Sequence, residues 1–134
     1  MSIPRRTEQG YQRAILRLAG LLGWRYCHFR AARTLHGWRT PVEGDAGFPD
    51  LVLCRPPRLI LAEVKSARGR YSPAQRAWLD VLSEVPGVEV REWRDGQTTL
   101  EEIREILTGT CLLPASTPRG SDDARQNRDL RQPG

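Results

Sequence analysis

Apolar residues follow two different periods along this chain. Tyr11, Ala14, Ile15, Leu18 and Leu22 recur at spacings of three and four, which places them on one face of a helix over roughly 8–22. Thr7 can cap that helix and Gly23 can end it. Trp24 to Arg30 alternates and is rich in aromatics, so it predicts a strand. Residues 32–48 carry Gly37, Pro41, Gly44 and Gly47 and predict a long loop, a feature that in compact domains tends to be functional. Asp50 to Cys54 is a short apolar strand, interrupted by Pro56-Pro57, and Leu59 to Lys65 is the next one, so the two predict a hairpin. Ser72-Pro73-Ala74-Gln75 opens a helix that runs to about Ser83, with Ser72 as cap, Pro73 in the first turn and Gln75 at the capping-box position. Val88 to Trp93 predicts a fourth strand. Thr98 or Thr99 caps a last helix to about Leu107, with Glu101 and Glu102 in its first turn, where the helix dipole favours them. The order is α-β-β-β-α-β-α, a mixed α/β domain over 7–108. Beyond it, 114–134 has Leu130 as its one large aliphatic residue and predicts a disordered tail.

Composition narrows the possibilities. The chain has 134 residues, 39% hydrophobic and 28% charged, which is globular usage for one domain. No apolar run approaches the roughly 20 residues that span a bilayer. No apolar stretch follows Met1 to Arg6, so neither a signal peptide nor a membrane association is expected. Cys27, Cys54 and Cys111 are odd in number and widely spaced, which fits neither a disulfide framework nor a zinc knuckle, and they predict buried or half-buried thiols in a cytoplasmic protein.

The net charge is +5, and it is unevenly spread. Residues 1–39 hold eight Arg against Glu8 alone, and 66–79 hold three Arg and no acid, whereas 80–105 hold eight acids and three Arg. Two basic segments of this kind suit a polyanion such as nucleic acid, although a solvated Arg-rich surface is equally compatible with charge alone. Twenty of the 21 cationic residues are Arg, and the one lysine is Lys65.

That lysine sits in a chemically pointed place. Glu63 and Lys65 lie two apart in a strand and share a face, while Ile60, Ala62 and Val64 take the other. Asp50 stands at the mouth of the partner strand. A carboxylate and a lysine inside an apolar strand are costly unless paired. Two carboxylates brought together by a hairpin can share Mg²⁺, which accepts one or two carboxylates plus waters and substrate phosphate. A lysine beside them can orient or deprotonate an attacking water, a task that Arg cannot match. The structural alternative is an ion pair of Glu63 with Lys65 or Arg58.

Gly47-Phe48-Pro49-Asp50, Glu63-Val64-Lys65 and Ser72-Pro73-Ala74-Gln75 together resemble the PD-(D/E)xK nuclease superfamily, and within it the VRR-NUC family in its small standalone bacterial and phage form. The resemblance covers about residues 7–108. It implies a restriction-endonuclease-like αβββαβ core with a mixed sheet flanked by helices, and a metal-dependent DNA endonuclease in the cytoplasm of a bacterium or phage-infected host. It further implies Asp50, Glu63 and the Val64 carbonyl as ligands of Mg²⁺, with Mn²⁺ as a substitute, and Lys65 acting on the water or the developing charge. By the same resemblance, Glu8 is an additional acid reaching the metal through a water, and Gln75 holds the lysine or a phosphate. Glu8 is otherwise a first-turn acid and Gln75 a capping-box partner. The implied substrate is branched DNA, four-way junctions included, cut by a homodimer in repair, recombination or replication. No nucleotide cofactor is expected.

Arg33, Arg39, Arg68 and Arg70 flank the site in loops and are expected to hold backbone phosphates without reading sequence. His28 is expected to pack or touch phosphate, and His36 to be an exposed loop residue. Of Trp24, Trp38, Trp78 and Trp93, only Trp38 sits in a loop where it can stack on a base. Two other readings remain open on sequence: a nucleic-acid-binding module without catalysis, and an RNA or restriction-type nuclease with the same site.

Overall fold

A computed structural model of the chain describes residues 7–29, 32–39 and 42–109. The elements are α1 (Glu8–Leu21), β1 (Arg25–His28), β2 (Ala32–Thr34), β3 (Gly37–Arg39), β4 (Leu51–Arg55), β5 (Arg58–Lys65), α2 (Pro73–Ser83), β6 (Val88–Arg94) and α3 (Leu100–Thr108). A four-stranded sheet runs β1-β4-β5-β6. β4 is antiparallel to β1 and β5, and β5 is parallel to β6, the two being joined by α2 as the crossover helix. This is the expected mixed α/β architecture.

Local chemistry sets the helix ends. Thr7, Ser72 and Thr99 each accept the backbone N–H three residues on, at 3.1 Å, in the reading order the sequence predicts. Ser72 and Thr99 form full capping boxes with Gln75 and Glu102. Each box satisfies two N–H groups that the helix itself leaves unbonded.

The core lies between one face of the sheet and the pair α1 and α3. It joins Tyr11, Ile15 and Ala19 of α1 to Leu51, Leu53, Ile60, Ala62, Val64 and Trp93 of the sheet, and to Ile103 and Leu107 of α3. The alternation of β5 therefore holds: Ile60, Ala62 and Val64 enter this core, and Glu63 and Lys65 go to the opposite face, which α2 covers. On α1 the buried stripe is Tyr11, Gln12, Ile15 and Ala19, so Ala14, Leu18 and Leu22 lie at its flank.

Three expectations need correction. The 32–48 segment is not a plain loop, because β2 and β3 form a two-stranded hairpin in register Ala32↔Arg39 and Thr34↔Gly37, tightened by Thr34 Oγ1, which donates to the Gly37 carbonyl at 2.7 Å. Cys27 is exposed rather than buried, since β1 is an edge strand and turns few side chains into the core; Cys54 is half-buried. Arg58 does not pair with Glu63. It makes a two-pronged ion pair with Glu89 at 2.7 and 2.8 Å, and donates to the Ile106 and Gly109 carbonyls beyond. The expectations for Cys111 and for the 114–134 tail fall outside the described residues. No helix among the described residues is long and apolar enough to cross a membrane.

One glycine fixes how the sheet meets α2. Gly47 has φ +99°, and a Cβ there would lie 2.5 Å from the Ala74 carbonyl carbon and 2.7 Å from the Gln75 nitrogen. The Gly47–Asp50 segment thus packs directly on the first turn of α2. Phe48 meets Phe29 and Trp78 edge to face, with centroids 5.9 and 5.1 Å apart, and Pro49 is fully buried. Gly47→Ala combines a left-handed backbone with a backbone clash, so it is expected to destabilise the domain by about 2 kcal/mol or more. Urea denaturation at equilibrium measures this; a loss below about 0.5 kcal/mol would contradict the close packing.

Candidate functional site

Asp50 enters the site from the start of β4, where its carbonyl accepts the Phe29 N–H at 3.0 Å. Its carboxylate faces the end of β5, and the Val64 N–H reaches Oδ2 at 3.4 Å. In an extended strand a residue's N–H and C=O leave from the same edge, so the Val64 carbonyl is also on Asp50's side. Glu63 is completely buried on the α2 face. Its Oε1 accepts from the Gln75 side-chain amide at 2.8 Å and pairs with Lys65 Nζ at 3.3 Å. Its Oε2 is buried and has no hydrogen-bond partner.

The electrostatics follow from that crowding. Burial pushes the Asp50 carboxyl above the usual carboxylate range, against the Val64 N–H and the positive charge of Lys65, which favour ionisation. Burial, and next the adjacent Asp50 charge, push Glu63 up to about 7, with Lys65 opposing. A buried carboxylate with an unpaired oxygen, pushed towards its neutral form by that burial and by a half-buried carboxylate beside it, forms a site deficient in positive charge.

A pH dependence follows. The folded-state value of Glu63 lies above its unfolded one, so the stability it contributes is complete below about pH 4.5 and is lost as pH rises through about 7. In EDTA the melting temperature is expected to be about 4–8 °C higher at pH 6 than at pH 8, as for a change of about 1 kcal/mol in a domain of this size. Calorimetry at the two pH values checks this, and a melting temperature that climbs from pH 6 to pH 8 would contradict it.

The other expected residues are placed as follows. Gln75 serves both readings at once: its Oε1 accepts from the Ser72 N–H at 2.9 Å to close the capping box, while its Nε2 donates to Glu63. Its partner is therefore the carboxylate and not the lysine. Lys65 also lies over the Tyr71 ring at 5.5 Å, a ring that Arg76 and Arg94 approach as well, at 4.6 and 5.5 Å. Glu8 does not join the carboxylate pair. It shares with Asp50 a cleft of about 810 Å³ that also takes in Gln12, Tyr26, His28 and Trp38. Among the described residues no three His, Cys, Asp or Glu side chains converge as a metal cage. Arg68 and Arg70 are exposed in the turn after Lys65, and Arg39 is exposed on β3; Arg33 belongs to β2, and its side chain lies outside the described residues. His36 is exposed in the hairpin turn. Trp24 and Trp93 are core residues, Trp78 is half-buried under Phe48, and Trp38 is 70% exposed. Sequence reasoning missed Gln12 and Tyr71, which no spacing singled out. The aromatic preceding the Ser72 cap was a weak signal for Tyr71.

The residues so assembled span β4, β5 and the start of α2, and comparison with known proteins meets them there. No curated protein and no solved structure is significantly similar to the chain. Residues 30–94 match the VRR-NUC domain, a nuclease-type domain, and that stretch holds Asp50, Glu63, Lys65 and Gln75 but not Glu8. That stretch is a VRR-NUC domain match with the Asp50, Glu63 and Lys65 arrangement inside it.

Proposed function

We propose that the protein is a metal-dependent, structure-selective DNA endonuclease that hydrolyses phosphodiester bonds in branched DNA, four-way junctions included. The buried Oε2 of Glu63, unpaired beside a second raised carboxyl, carries this reading. An ion pair with Lys65 at one oxygen leaves the other without a partner, and a divalent cation supplies what is missing. Asp50, Glu63 and the Val64 carbonyl would hold it, with Glu8 reaching it through a water. Two carboxylates without a cage suit Mg²⁺, which keeps several waters, and Mn²⁺ would substitute. Bound there, the ion lowers the pKa of the attacking water and stabilises charge on the phosphate.

The chain's own groups do the rest. Gln75 fixes Glu63 through Oε1. Lys65 orients the water that forms the new P–O bond, or stabilises the charge that develops as the bond to the leaving oxygen breaks. Arg39, Arg68 and Arg70, with Arg33, hold the flanking phosphates. A homodimer would present two such sites for symmetric cleavage of two strands.

The test is cleavage of duplex, flap, four-way junction and RNA of matched sequence, with Mg²⁺ and with EDTA. Incision of branched DNA that EDTA abolishes is expected. Salt-dependent binding indifferent to EDTA, with no incision under any divalent metal, would instead establish a binding module. The pairing of Glu63 with Lys65 at 3.3 Å is the observation on that side.

A further inference from the structure

The cleft beside Asp50 is larger than a metal and its waters require. At about 810 Å³ it lies within the range of small-molecule sites. Its lining includes a stripe of α1 carrying Glu8, Gln12 and Leu16, together with Tyr26 of the edge strand, Phe29 just beyond it and Trp38 of the extra hairpin. The three aromatic residues are 48%, 43% and 70% exposed. Large apolar rings left in solvent around one cleft mark a binding surface rather than an unfinished core.

A second observation is independent of the aromatics. Gln12 lies on the buried stripe of α1, is 7% exposed and lines the same cleft, yet its carboxamide has no hydrogen-bond partner among the described residues. The carboxamide is not among the buried polar groups left unsatisfied, so it opens to the cleft, where it offers both donors and an acceptor. That is the chemistry that reads the edge of a nucleobase, while the indole of Trp38 offers the stacking plane.

We infer that this cleft binds one unstacked nucleobase of the substrate strand, stacked on Trp38 and hydrogen-bonded by Gln12, next to the phosphate presented to Asp50 and Glu63. The inference rests on the nuclease reading for its orientation, and it gives that reading a physical source of selectivity. A continuous duplex has no base free to enter, whereas a branch point or an extrahelical nucleotide does, and the cost of extrusion is lowest there.

The experiment uses the full chain in EDTA, so that no cleavage intervenes, and two DNA duplexes. One carries a single extrahelical 2-aminopurine and the other has the same sequence fully paired. Binding is expected to quench the 2-aminopurine fluorescence and to favour the first duplex by about 10-fold, the scale of one base–aromatic stack. Trp38→Ala should remove both quenching and preference, Trp38→Tyr should keep them, and Gln12→Leu should weaken binding of the first duplex alone. Absence of quenching by the unmodified chain, or a preference that survives in Trp38→Ala, would overturn the inference. Incision of branched DNA without quenching would remove the base site and leave the nuclease standing. Quenching that needs Trp38 in a protein that cuts nothing would remove the nuclease and leave the base site.

Discussion

Replacing Asp50 by Asn is expected to abolish cleavage while raising the stability of the metal-free protein. Asn keeps the shape of Asp50 but removes one of two negative charges that burial has already made costly. Its amide can also donate to Glu63, whose Oε2 is buried without a partner. Satisfying such an acceptor is worth about 1–3 kcal/mol, so the melting temperature in EDTA at pH 8 should rise by several degrees. The same change removes a carboxylate from the proposed cation site, and incision should fall by about 10³-fold or more, the equivalent of several kcal/mol of transition-state charge stabilisation. Adding Mg²⁺ should then raise the melting temperature of the unmodified chain more than that of the variant. A destabilised Asp50→Asn protein would mean that the carboxylate is a structural hydrogen-bond partner, and the proposed site would be lost with it. Opposite signs for stability and activity are the signature of a group kept for function at a thermodynamic cost.

Lys65→Arg preserves the charge and is expected to reduce turnover by about 10²-fold or more, within the range for loss of a positioned acid–base group. Only 12% of the Lys65 side chain is exposed, and its ammonium lies between Glu63 Oε1 and the Tyr71 ring. A Cβ placed on Gly69 would come within 3.3 Å of the Lys65 stem, so the channel has little width to spare. A planar guanidinium cannot be deprotonated, and its fork would engage the Glu63 carboxylate at two points where the cation requires it. Circular dichroism should show an unchanged fold, which separates this outcome from unfolding. Turnover within about threefold of the original would mean that only the charge matters at this position.

Much of this site was legible in the sequence because its parts are short-range. Glu63 and Lys65 share a face through strand alternation, and the capping box names Gln75 by its spacing from Ser72. The twelve residues between Asp50 and Glu63 are enough for a hairpin, and register Leu51↔Ala62 brings the two acids together across it. The Arg58–Glu89 pair was not legible, because it joins neighbouring strands separated in sequence by a helix. Nor was the β2–β3 hairpin, whose three-residue strands are too short to show a period. Gly47 read as one more loop glycine. Its role exists only because the first turn of α2 lies within 2.7 Å of where a side chain would be.

The sequence by itself determined the helices, the four main strands and the chemical identity of the site, since caps, alternation and turn residues act through neighbours a few positions away. Tertiary structure decided which groups share one environment. Burial left one oxygen of Glu63 unpaired and set it against Asp50. Packing of α1 on the sheet placed Gln12 on its buried stripe, at the wall of the cleft beside Asp50. The extra hairpin put Trp38 on the same cleft, which no local pattern announces. Desolvation and like-charge repulsion depend on distance through space, and that distance is fixed only when the sheet closes against its helices.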